Sequence, residues 1–236
     1  NTYLYLKYSL LKGDLKIRYN QFSKEEEWQK LPPWREDENY KALLKGRKTP
    51  QNTSSIKVID ADYLFIEALL LKTPDKLATN GVPPVRDAIT RISRENKYHP
   101  VREVCNQLPA WDGVPRIDTF FEQYCGSEHS EYYKHVARKM FAAIISRIFE
   151  PGCKFEYLVV LVGKQGLRKS TLCRVLAMRD EWFSDNLGDI KSKDAIQQLF
   201  GKVITEIPEM AAFRGMDIED VKSYLSRQDD RGRLPY

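Results

Sequence analysis

The pattern of apolar and polar positions changes character three times along the chain. Residues 1–55 mix short apolar patches such as LKIRYNQF, which read as strands, with many Lys, Glu, Tyr and Trp. The stretch KGRKTPQNTSS at 45–55 carries Gly, Pro, Ser, Thr and basic residues, so it reads as a solvated loop or linker whose cations could touch a phosphate backbone. From 56 to 150 the pattern is mainly helical. DADYLFIEALLL is apolar enough for a buried helix face, and PPVRDAITRISREN sets Val85, Ile89 and Ile92 on one stripe, with Arg86, Arg91 and Arg94 on the surface. Trp111-Asp112-Gly113 signals a turn, after which Asp118 is placed to cap a new helix. Residues 131–149 put Val136, Met140, Ile144 and Ile148 on one stripe backed by Phe141 and Ile145, and Pro151-Gly152 ends that helix. These stripes read as core.

Beyond residue 151 the texture becomes that of an α/β protein. YLVVLV at 157–162 is a continuous apolar run, suited to a strand buried on both faces of a parallel sheet. It runs into GKQG, and STLCRVLAM then reads as a helix. Downstream, SKDAIQQLF reads as a short helix between Ser192 as cap and Gly201 as stop, and GKVITEIPEM as a second strand through Val203, Ile204 and Ile207. In DIEDVKSYLSRQDDRGRLPY, Ile218, Val221 and Leu225 have helical spacing before a polar run with Asp229, Asp230, Arg231 and Arg233.

Strand, glycine loop and helix are the setting of a phosphate-binding loop, G-x-x-x-x-G-K-[ST]. Gly163, Lys169 and Ser170 match, but Arg168 stands where the second glycine belongs. Such a loop works because backbone N–H groups and a helix N-terminus surround phosphate oxygens, while the lysine adds charge and the hydroxyl ligates Mg²⁺. Lys164, Gln165, Gly166, Leu167 and Thr171 complete the candidate nucleotide contacts. A non-glycine residue at positive φ costs about 1–2 kcal/mol, so Arg168 either carries that strain or redirects the turn, and its guanidinium is placed to reach a phosphate. An acidic strand end must accompany the loop. Glu209 is preferred as catalytic base or ligand of a Mg²⁺-bound water, with Glu206 in support.

The chain has 236 residues, enough for one large domain or two small ones, with a formal net charge of +5 that permits but does not demand nucleic-acid contact. Its four cysteines form no C-x-x-C pair and no metal spacing with the three histidines, which reads as reduced thiols in a cytoplasmic protein. Neither a signal peptide nor an apolar run near transmembrane length is present. The start at Asn1 and the stop at Tyr236 read as a fragment with a truncated C-terminal core.

YHPVREVCNQLPAWDGVPRIDTFFEQY, RIFEPGCKFEYLVVLVGKQGLRKSTL, FGKVITEIPEM and LSRQDDRGRLPY, in that order, resemble the virulence-associated protein E family of prophages and other bacterial mobile elements. The resemblance covers roughly residues 95–236, and more loosely 14–75. It implies an AAA+-like P-loop ATPase related to superfamily three and poxvirus-type primase-helicases, forming hexameric rings on DNA. Carried over, Gly163, Gly166, Lys169 and Ser170 or Thr171 fall in the Walker A loop, Glu206 and Glu209 on the acidic strand, and Lys222, Arg231 and Arg233 in a basic motif around the nucleotide. Family loops usually carry glycine at the position of Arg168, and relatives continue past Pro235-Tyr236 into a strand with a polar sensor residue.

The expectation is thus a P-loop parallel-sheet core at 151–236, preceded by a helical domain at 56–150 and an irregular or α+β region at 1–55. The expected function is an ATP- and Mg²⁺-dependent, helicase-like ATPase that replicates a mobile element on single-stranded or origin DNA, with a primase as a candidate partner. The alternative is a DNA-binding or assembly protein whose loop has degenerated.

Overall fold

The computed structural model describes residues 2–7, 15–38, 40, 56–72, 81–187, 197–209, 219 and 222. The chain divides into two compact units, Asn1–Pro100 and Val101–Tyr236, and is of mixed α/β composition.

In the first unit, α1 (Thr2–Tyr5) precedes a three-stranded sheet of order β2-β1-β3. β1 (Ile17–Asn20) pairs antiparallel with β2 (Glu25–Trp28), Ile17 opposite Trp28, and parallel with β3 (Lys97–Tyr98), Tyr19 opposite Lys97. LKIRYNQF therefore supplies a strand as its pattern predicts. β2 was not foreseen, because EEEW lacks the apolar alternation that marks a strand. Its outer edge is covered by residues 56–58, through Trp28 N–H to Ile56 O at 2.7 Å and Val58 N–H to Glu26 O at 2.9 Å.

The two expected helices of this unit form as predicted. α2 (Asp60–Leu71) buries Ile66 and Leu70, and α3 (Val82–Glu95) buries Val85, Ile89 and Ile92. Each such apolar side chain taken out of water contributes about 1.5–3 kcal/mol. Together with Leu6, Ile17, Trp28 and Trp34 they form one core.

A fully buried carboxylate, Asp62, lies inside that core. It accepts hydrogen bonds from Trp28 Nε1 at 3.0 Å, Trp34 Nε1 at 3.3 Å, Tyr40 OH at 2.9 Å and the Ile59 N–H at 3.0 Å. Arg35, in a 3₁₀ turn at Pro33–Glu36, completes the set with Nε at 3.2 Å and Nη2 at 2.6 Å. Burial of a carboxylate is tolerable only when paired and hydrogen-bonded, and here the donors come from β2, the 3₁₀ turn, Tyr40 and the residue before α2. The cluster pins the 3₁₀ turn, β2 and α2 to one another. The 45–55 linker lies outside the described residues.

The second unit follows α4 (Pro100–Gln107) with a turn at Trp111-Asp112-Gly113, as expected. Asp112 and Arg116 close that turn with two hydrogen bonds, at 2.9 and 2.6 Å. α5 (Phe120–Cys125) and α6 (Glu131–Phe149) pack through Phe120, Phe121 and Ala137, with Met140 and Phe141 against them. Asp118 does not cap α5: Thr119 stands at the cap, and Asp118 instead holds the Arg138 guanidinium of α6 through two bonds of 2.6 Å. A bidentate arginine is a stronger partner for a carboxylate than the backbone N–H groups at the start of a six-residue helix. α6 has the expected span but a shallower burial than its stripes suggest. Ala137 and Ile148 are buried, whereas Ile145 is 47% exposed.

α7 (Lys169–Leu176) forms where STLCRVLAM predicts it, followed by a 3₁₀ turn at Asp180–Trp182. β4 (Phe183–Ser184) then pairs in parallel with β5 (Ile204–Thr205). Among the described residues that pair is the only parallel element of this unit. Residues 157–162 form no strand: Val160 is 53% and Val162 92% exposed, and no ladder joins them to a described neighbour. A continuous apolar run reports a tendency to be buried, but a strand exists only beside a partner edge about 4.8 Å away. Leu161 alone of this run packs against the Phe120 cluster. Of the expected helix at SKDAIQQLF, Gln197 and Gln198 are helical and Gly201 takes the stop conformation, φ 71°, while Ser192 lies outside the described residues.

Candidate nucleotide-binding site

The loop between residue 162 and α7 carries the candidate chemistry. Gly166 has φ +86°, a left-handed conformation that glycine adopts without strain. A Cβ on Gly163 would come to 3.0 Å from Leu167 Cδ1, so a side chain there would have to shift that leucine. Arg168 has φ 56° and ψ 32°. The arginine therefore carries a left-handed backbone that glycine would adopt freely, at a cost of about 1–2 kcal/mol.

Lys169 opens α7 and folds back over the loop. Its Nζ donates to Gly163 O at 2.8 Å and Lys164 O at 3.0 Å, closing the loop between the motif's first residues and its lysine. Ser170, the next residue, donates from Oγ to Glu206 Oε1 at 2.7 Å. Glu206 is fixed from the other side, because its N–H donates to Ser184 O at 2.7 Å and extends the parallel ladder by one residue. The sheet thus positions the carboxylate and the helix start positions the hydroxyl.

Glu206 Oε2 is buried and has no hydrogen-bond partner among the described residues. An orphaned carboxylate oxygen beside a serine hydroxyl is a donor set that suits a small, hard cation such as Mg²⁺, which takes one or two protein oxygens and keeps its remaining ligands as water and phosphate. No group of three His, Cys, Asp or Glu among the described residues is placed to hold a metal alone.

Glu209, preferred from sequence, stands three residues on, exposed and in a left-handed conformation with φ 50°. The residue brought to Ser170 is Glu206. Both carboxylates line a cavity of about 480 Å³ with Lys169, Cys173 and Thr205, walled elsewhere by apolar residues such as Phe120 and Leu172. Cys173, one turn beyond Ser170, was not singled out from sequence, although the spacing of three along a helix places it on that face. Burial pushes its thiol up, and the Glu206 carboxylate adds to the shift. Lys164, Gln165, Leu167 and Thr171 are exposed around the loop. Lys222 pairs with Glu219 at 3.1 Å, and Arg231 and Arg233 lie outside the described residues.

In class, then, this is a two-unit α/β protein with a glycine-containing loop at a helix start and an acidic strand end hydrogen-bonded to it. The family model of the virulence-associated protein E-like domain matches residues 105–236, more than half of the chain, and the chain belongs to that family. Comparison with curated proteins finds no match. Among the described residues no helix is long and apolar enough to cross a membrane.

Proposed function

We propose that this chain binds ATP at the 163–171 loop and hydrolyses it as the motor of a helicase-like protein serving replication of a mobile element. The observation that carries the reading is the Ser170–Glu206 hydrogen bond, because it joins the hydroxyl after the loop lysine to the acidic strand end that phosphoryl transfer requires nearby. The N-terminus of α7 and the loop amides receive the phosphates, and Lys169 leaves the Gly163 and Lys164 carbonyls to meet them. Ser170 and Glu206 would hold Mg²⁺, which would neutralise charge on the phosphates. Glu209, on the cavity wall, orients the attacking water. Action on single-stranded or origin DNA, assembly into a ring completed by Arg231 and Arg233, and cooperation with a primase follow from the family resemblance. The AAA+-like sheet is part of the same proposal, with the parallel β4–β5 pair as its local support.

The second reading is a DNA-binding or assembly protein with a non-hydrolysing loop. Arg168 in the glycine position and the engagement of Lys169 with its own loop carbonyls favour it. ATP turnover with and without single-stranded DNA, in wild type and Lys169→Ala, separates the two. DNA-stimulated turnover lost in the variant supports the ATPase, and DNA binding with no turnover in either protein supports the alternative.

A further inference from the structure

We infer that Arg168 is a phosphate-contacting residue of this loop, supplying a cation where the motif otherwise has glycine and favouring the more highly charged nucleotide. The inference rests on the nucleotide reading above and adds to it a residue that sets specificity.

Three observations carry it. First, the arginine holds a left-handed conformation, which glycine adopts without strain, and accepts the backbone cost. A left-handed residue followed by the right-handed start of α7 makes successive N–H groups converge, the arrangement that cradles anions. Second, the Arg168 side chain is exposed at the loop and makes no hydrogen bond or ion pair with any described residue, whereas Lys169 is engaged with two carbonyls. Of the two adjacent cations, the guanidinium is the one available without breaking a contact. Third, Lys164, Arg168 and Lys169 gather three positive charges along the loop, while Glu206 is the carboxylate bonded to its helix start. A guanidinium meets phosphate oxygens with two parallel N–H donors, and attraction to a fixed cation grows with ligand charge, so a triphosphate gains more than a diphosphate.

The test is the affinity of the full chain for ATP and for ADP with Mg²⁺, by displacement of a fluorescent nucleotide at low and high salt. It compares wild type with Arg168→Gly, Arg168→Asn, Arg168→Lys and Lys169→Ala. Arg168→Gly relieves the backbone strain, so folding is preserved and loss of charge is read directly. The expected result is about tenfold weaker ATP binding in the Gly and Asn variants, a smaller loss for ADP, near-wild-type binding in Arg168→Lys and a shallower salt dependence. ATP binding in Arg168→Gly as tight as or tighter than wild type would overturn the inference, as would equal losses for ATP and ADP. In either case loss of binding in Lys169→Ala leaves the nucleotide reading standing. Binding absent from wild type, or unchanged in Lys169→Ala, overturns both.

Discussion

Ser170 Oγ and Glu206 Oε1 lie 2.7 Å apart, so one hydrogen bond ties the first turn of α7 to the end of β5 across 36 residues of sequence. Each partner is held by its own element, the hydroxyl by the helix start and the carboxylate by the Ser184 ladder bond. Loop and acidic strand are therefore held together in the absence of a ligand, which would lower the ordering cost of the proposed binding.

Glu206 and Glu209 differ in what holds them, and mutation distinguishes their roles. Glu206→Gln removes the charge beside Ser170 and is expected to abolish the Mg²⁺ dependence of nucleotide binding. Glu209→Gln leaves the Ser170 contact intact and is expected to lower turnover by about a hundredfold or more with binding retained. Metal titrations and ATP turnover on both variants check this, and the opposite assignment of effects would exchange the two roles.

The Asp62 cluster makes a strong statement about stability. Asp62→Ala leaves the Arg35 guanidinium buried without its carboxylate and strands two indole N–H groups, Trp28 and Trp34. The expected loss is about 3–5 kcal/mol. Urea unfolding followed by tryptophan fluorescence measures it, since both indoles report from the site.

Tyr40 and Tyr63 give the first unit an alkaline limit. Burial pushes both phenols well above the ordinary value of 10.0, and the Asp62 and Glu26 carboxylates add to the shift. A folded value above the unfolded one means that stability is fully present below pH 10.0 and is lost as pH rises toward the folded values. Tyr63→Phe is expected to flatten the fall above that pH, read as the pH dependence of thermal unfolding.

Arg102 closes the far end of α6, donating from Nε to Ile148 O at 2.8 Å and from Nη2 to Phe149 O at 3.2 Å. A cation on the terminal carbonyls also meets the negative end of the helix. Arg102→Ala is expected to cost about 1 kcal/mol by thermal unfolding.

What was legible in the sequence is what depends on local pattern. The Val85, Ile89 and Ile92 stripe gave its helix because one periodic face is enough to bury it, while Leu172 and Leu176, half-buried at a spacing of four, give α7 a shallower face. Pairing and long-range partners were less accessible. YLVVLV announces burial but not a neighbour, and EEEW conceals a strand that exists because Ile17 and residues 56–58 flank it. The Asp62 cluster joins donors from residues 28 to 59, a convergence no spacing rule encodes. At the candidate site, motif spacing pointed to Lys169, Ser170 and both glutamates, which the structure brings together, but which glutamate meets Ser170 needed the ladder that turns Glu206 toward it.

The central claim is that the 163–171 loop binds nucleotide through Lys169. Calorimetric titration of Mg²⁺-ATP into wild type and Lys169→Ala tests it most directly. The account predicts saturable one-site binding in wild type that is lost in the variant. Equal heats in the two proteins, or no binding in wild type, would contradict it.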